Sequence, residues 1–266
     1  MKSLLLASGA LLASTAAYAD TVSFSDILAT WSNATPLGKA SFFGTGTSNP
    51  QAYWGGNHPS NHNPDGDSGY TFQSPAGQPI VATVPPSPSP DFVLGTFQHL
   101  NNPIPSGSSI TGINLTLSTD VTIDGTDEGI LSFQFHFTHD ETDNAASPCA
   151  DGGHVGHGVD VNGCADHVTV NALSDTAQFT IGGDHYTIDI VGFEQNGVVT
   201  DGFWTEEGVT NTAELVANVK LFSDVVTVPT GPAAPEPSTW AMGLIGFAGL
   251  GFLGFRRSRQ PVAMSV

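Results

Sequence analysis

The chain has 266 residues, with 25 Asp and Glu against six Lys and Arg and a formal net charge of −19. Between residues 20 and 235 there are 24 acids and only two bases, Lys39 and Lys220, a net −22. A surface of that sign excludes nucleic acid as a partner, since phosphate binding needs a basic footprint, and excludes direct adhesion to an anionic bilayer.

Residues 1–19 read as a signal peptide. Lys2 is the basic start, residues 4–12 the apolar core, and Ala17-Tyr18-Ala19 a small-x-small cleavage site before Asp20. Residues 20–227 then form one domain of sufficient length for a sizeable core. Its 31 Gly and 18 Pro, counted over the whole chain, indicate many turns and short elements. Strands are expected at residues 92–97, 113–117, through Val121 and Ile123, and at 130–138, where Leu131, Phe133, Phe135 and Phe137 alternate with polar residues. Further strands are expected at 167–170, 178–181, 186–193 and 215–222, with Gly182-Gly183-Asp184 making a tight hairpin. A helical turn around Ile27-Leu28 is the one exception after the signal peptide. Eight or more strands without crossover helices predict an all-β fold, an antiparallel β-sandwich or jelly roll. The run Pro85-Pro86-Ser87-Pro88-Ser89-Pro90 is a stiff surface connector, and residues 228–237 are a Pro/Ala-rich stalk.

The densest polar region follows the Phe-rich strand. Cys149 and Cys164 are expected to pair in an exported chain, closing a glycine-rich loop; a free Cys-His pair is the rival reading. Asp140, Glu141, Asp143 and Asp151 offer oxygen ligands for Ca²⁺, although the spacing matches no complete calcium loop and a solvated acidic loop is the default. His154-x-x-His157 with His139 or His167 makes a zinc alternative. Residues 63–69 look calcium-like but default to a turn. Trp54 and Trp204 are either core residues or platforms for sugar rings. The pair Glu206-Glu207 carries little information in so acidic a chain, and no nucleophile elbow, phosphate loop or zinc-protease motif is present. No catalytic residue and no cofactor is expected, calcium apart.

The end of the chain is the most specific part. Pro235-Glu236-Pro237 precedes an uncharged segment, residues 238–255, and then Arg256, Arg257 and Arg259 within a tail of residues 256–266. The segment is expected to cross the membrane as a short helix weakened by five glycines, with the arginines cytoplasmic. This arrangement resembles the PEP-CTERM sorting signal. The resemblance implies a Gram-negative, exopolysaccharide-producing host, an exosortase as processing partner, and an inner-membrane intermediate on the way to the cell surface or matrix.

A second resemblance rests on Trp54-Gly55, Ser68-Gly69-Tyr70-Thr71-Phe72, residues 94–104, His139-x-Glu141-Thr142-x-Asn144 and Cys164-Ala165-Asp166-His167-Val168. Together they look like the THxN family of PEP-CTERM proteins, which is similar to choice-of-anchor K surface domains. Gln98 departs from the family's threonine ahead of His99-Leu100-Asn101. The family implies an exported surface domain without an established activity. Leu94 and Phe97 are expected in the core, with His99 and Asn101 bonding a turn that ends at Pro103. The function expected from the sequence is a non-catalytic structural or adhesive one. The alternative is a secreted carbohydrate-binding or carbohydrate-active protein.

Overall fold

In the computed structural model, residues 19–56, 66–84, 87–172 and 178–223 are described. The chain divides into two compact units, residues 1–224 and 225–266, and every described residue belongs to the first. Residues 1–18 of the signal peptide, the stalk, the span and the arginine cluster lie outside the described residues, as do Asn63, Pro64 and Asp65 of the calcium-like turn and Pro85 and Pro86 of the proline connector. Among the described residues no helix is long and apolar enough to cross a membrane.

Fourteen strands are present among the described residues, and the all-β expectation holds. They are β1 (Asp20–Thr35), β2 (Ala40–Phe43), β3 (Gln51–Trp54), β4 (Ser68–Gln73), β5 (Ile80–Val84), β6 (Phe92–Asn101) and β7 (Gly112–Ile123). The remainder are β8 (Thr126–Asp140), β9 (Asp166–Ala172), β10 (Phe179–Ile181), β11 (Asp184–Gln195), β12 (Val198–Thr200), β13 (Gly202–Thr205) and β14 (Val209–Ser223). One sheet runs β13-β9-β8-β7-β1-β5, and the other β10-β11-β14-β6-β4-β3-β2 with β12 beside β11. The hairpin at Gly182-Gly183 forms as expected, Ile181 pairing with Asp184 and both glycines taking positive φ.

The two sheets face one another across a single apolar core. Phe97 of β6 stacks on Phe137 of β8 at 5.2 Å, and Trp31 of β1 meets Tyr70 of β4 at 5.7 Å. Each of these rings is buried from solvent. Aromatic pairs of this kind add about 0.5–1.5 kcal/mol beyond the area they bury.

The expected helical turn at Ile27-Leu28 is instead part of β1. Register shifts against β7 fall between Ser25 and Leu28 and between Ser32 and Thr35, and Asp26 and Asn33 have positive φ. Each bulge inserts a residue and reverses which parity faces inward. Val22 and Phe24 are buried, then Ile27, Ala29 and Trp31, then Ala34. The backbone groups freed at the first bulge are satisfied from outside the strand: Thr119 Oγ1 donates to Ser25 O at 2.7 Å, Ser74 Oγ donates to Ile27 O at 2.6 Å, and Gln78 Oε1 accepts from Ile27 N at 3.0 Å.

Candidate functional site

Four strands carry their inward alternation past the apolar core into polar residues at one end of the domain. On β6 the buried phase is Phe97, His99, Asn101; on β8 it is Phe135, Phe137, His139, leading to Glu141. On β9 it is Asp166, Val168, Val170, and on β13 it is Phe203 and Thr205, leading to the buried Glu207. Pairing of β9 with both β8 and β13, with Asp140 opposite His167 and Thr205 opposite Asp166, gathers three of these strand ends. The fourth, β6, arrives from the facing sheet.

The resulting cluster is polar and sealed. His99, Asn101, Asp166, Thr205 and Glu207 are fully buried, and His139 is 2% exposed. Trp54 forms its wall, stacked on His99 at 5.8 Å and edge-on to Tyr70 and His139. The Tyr70 hydroxyl lies 2.7 Å from His139 Nδ1, and His139 Nε2 lies 3.3 Å from Glu141 Oε2 and 4.0 Å from Asp166 Oδ2. Thr205 Oγ1 donates to Asp166 O at 3.2 Å, so it can only accept from His99 Nδ1, 3.0 Å away. That places the proton of neutral His99 on Nδ1 and leaves Nε2 with its lone pair.

Charge in this cluster is penalised by burial. Burial, with repulsion from neighbouring carboxylates at Asp166 and Glu207, raises Glu141, Asp166 and Glu207 to about 7. Burial also lowers His139 to about 4, opposed by Asp166 and Asp140, and holds His99 well below the usual imidazole range. Two triads bring one ligand atom of each member within 4.8 Å of the others: His99, His139 and Asp166, and Glu141, Asp166 and Glu207. Glu141 alone reaches the surface, where it lines a groove of about 580 Å³ with Ile104, Pro105, Ser109, Thr142 and Asn144.

The residues singled out from sequence distribute differently. Of the four calcium candidates only Glu141 enters the cluster; Asp140, Asp143 and Asp151 are exposed. Asp143 accepts from Ala145 N at 3.0 Å and Asp151 from Gly153 N at 2.7 Å, each holding its own turn. Cys149 and Cys164 are joined by a disulfide, which removes the free Cys-His reading and takes both sulfurs out of the third candidate group, with Asp160. His154 and His157 are exposed in the same loop. Trp54 is 2% exposed and belongs to the core, whereas Trp204 is half-buried and stacks on His167 at 4.4 Å. His99 and Asn101 do not bond a turn before Pro103; both side chains bond Thr205.

Residues 233–259 match the PEP-CTERM protein-sorting motif. This signal directs exosortase-dependent export to the cell envelope or surface, and makes the exosortase a partner of the chain. The match contains Pro235, Glu236, Pro237, Arg256, Arg257 and Arg259, all outside the described residues. No curated protein matches the chain. The sorting match covers the tail and none of the residues of the buried cluster.

Proposed function

We propose that the chain is a non-catalytic structural or adhesive protein of the cell surface or exopolysaccharide matrix, built as a β-sandwich domain. It is delivered by a cleaved signal peptide in a Gram-negative cell and held at the inner membrane until its tail is processed. The sorting motif at residues 233–259 is the observation that carries the reading. The closed cluster supports the non-catalytic part: apart from Glu141, its titratable groups are shielded from any substrate in solution. The THxN-like motifs support a surface domain, with His99 and Asn101 acting inside the fold. The −22 of residues 20–235 supports solubility and mutual repulsion outside the cell.

Cell fractionation with mass spectrometry of the mature C-terminus tests the delivery. Glu236→Ala should leave the span intact and abolish processing, so that the chain accumulates uncut in the inner membrane. Unchanged cleavage would contradict exosortase dependence. For the adhesive part, the processed protein should co-sediment with exopolysaccharide from the same culture, and complete recovery in the supernatant would exclude it.

A further inference from the structure

We propose that His99, His139, Asp166 and Glu141 form a closed binding site for one transition-type divalent cation, with Glu207 as the neighbouring charge that the cation relieves. The first support is an imbalance of hydrogen-bonding character. Asp166 Oδ2, Glu207 Oε2, Asn101 Oδ1 and His99 Nε2 are buried without a hydrogen-bond partner among the described residues, as is the Trp54 indole N–H in the wall of the cluster. The first four are lone-pair atoms, against that one donor. Buried polar atoms are overwhelmingly paired, and leaving one unpaired costs about 1–3 kcal/mol. Four acceptors against one donor at this end of the core call for something positive between them.

Among the described residues no protein cation supplies it. The two lysines between residues 20 and 235 are engaged elsewhere, Lys39 Nζ with Gly107 O at 2.9 Å and Lys220 Nζ with Asp189 at 3.1 Å. The second support is that three of the four ligands, and Glu207 beside them, are each oriented by an outer partner on one atom. Thr142 N donates to Asp166 Oδ1 at 2.8 Å, leaving Oδ2. Thr205 takes His99 Nδ1–H, leaving Nε2. Tyr70 holds His139 Nδ1, and Nε2 is hydrogen-bonded to Glu141 Oε2 at 3.3 Å, a contact that a cation between the two would replace. With the Asn144 amide turned so that its nitrogen donates, Glu207 Oε1 is held at 3.1 Å, leaving Oε2. Outer-shell hydrogen bonds of this type fix the tautomer and aim of metal ligands.

The spacing and the donor types narrow the ion. Ligands at about 2.1 Å from a tetrahedral ion stand about 3.4 Å apart; His139 Nε2 lies 3.3 and 4.0 Å from its two carboxylate neighbours, and His99, His139 and Asp166 bring ligand atoms within 4.8 Å of one another. Two imidazoles with two carboxylates suit Zn²⁺, Mn²⁺ or Fe²⁺; Ca²⁺ and Mg²⁺ require oxygen throughout. Burial on all sides but one fits a site that stabilises the fold.

The test uses the full chain and Zn²⁺ as the probe. After chelation and removal of the chelator, titration should show about one equivalent bound, and a thousand-fold excess over Kd should raise Tm by roughly 8–16 °C for a domain of this size. Asp166→Asn and His99→Gln should each weaken binding by at least a hundred-fold. Metal-free Asp166→Asn, which removes a buried charge, should be at least as stable as the metal-free parent, so its loss of binding is separable from misfolding; near-UV circular dichroism checks the fold of both variants. The paired change Asp143→Asn with Asp151→Asn should leave binding unaltered. Absence of stoichiometric Zn²⁺ uptake by the folded parent would overturn the proposal. So would binding that survives Asp166→Asn and His99→Gln, that disappears with the Asp143 and Asp151 changes, or that is selective for Ca²⁺ over Zn²⁺.

Discussion

Replacing Cys149 and Cys164 together by alanine measures how the long loop after β8 is held. The bond joins positions 15 residues apart, and the segment it closes contains Gly152, Gly153, Gly156, Gly158 and Gly163. Closing such a loop removes about 3 kcal/mol of freedom from the unfolded chain in the chain-entropy treatment. The native loop has supports of its own. Thr142 Oγ1 donates to Cys164 O at 3.0 Å, Asp160 Oδ1 accepts from Ala165 N at 2.8 Å, and Cys149 N donates to Gly153 O at 3.1 Å. The native fold should therefore persist and the cost should fall on the unfolded side. For a domain near 200 residues, about 3 kcal/mol corresponds to a Tm lower by about 6–12 °C. Thermal unfolding of the full chain followed by near-UV circular dichroism reads this directly. A fall of less than about 2 °C would refute the entropic reasoning. A native spectrum already lost at 20 °C would refute it from the other direction, because the bond would then be shaping the folded state.

Phe97→Ala removes the ring that meets Phe137, Tyr70, Phe193, Phe203 and Trp31 between the sheets. It should cost about 3–5 kcal/mol, read as a lower urea midpoint at unchanged slope. In metal-free protein the carboxyls of Glu141, Asp166 and Glu207, raised to about 7, stabilise the fold below their ordinary range and lose that contribution as pH rises through 7; His139, lowered to about 4, and His99 act oppositely and are fully neutral in both states above their unfolded range. Between pH 4 and 6.5 the two effects oppose, so Tm should fall chiefly from pH 6.5 to 7.5, and a Tm that rises there would contradict the assignment. Glu236→Ala should abolish tail processing, as judged by the mass of the mature C-terminus.

How far the sequence reveals this molecule depends on where alternation is kept. β7 and β8 stand out because Leu115, Leu117, Phe133 and Phe135 keep an unbroken inward face. β1 is the longest strand and is hidden, because its bulges at Asp26 and Asn33 twice reverse the parity of its buried residues. A period-two search reads through such reversals as noise, and Ile27-Leu28 then resembles a turn of helix. The cluster is nonetheless present in the pattern. His99 and Asn101 follow Phe97 in phase, His139 and Glu141 follow Phe137, and Glu207 follows Phe203 and Thr205. A polar residue in the inward phase is the local signal of a buried polar site. That β6 in one sheet and β8, β9 and β13 in the other end at the same place is a property of topology, and no local pattern carries it.

The disulfide and the cation site meet in one segment, since residues 141–166 hold Glu141, both cysteines and Asp166. They act on opposite sides of the folding equilibrium. The disulfide restricts the unfolded chain, whereas a cation bound by His99, His139, Asp166 and Glu141 lowers the free energy of the folded one. If the loop keeps its native path through the hydrogen bonds of Thr142 and Asp166, the two contributions are independent. The Tm increment on adding Zn²⁺ should then be the same, within about 0.5 kcal/mol in free energy, in the parent and in the Cys149→Ala/Cys164→Ala variant. A smaller increment in the variant would mean that the disulfide positions Asp166 or Glu141, so that the bond belongs to the site as well as to the loop. Independence is expected, because Thr142 and Asp166 both lie outside the segment the disulfide closes, and the Thr142 amide donates to Asp166 Oδ1 at 2.8 Å.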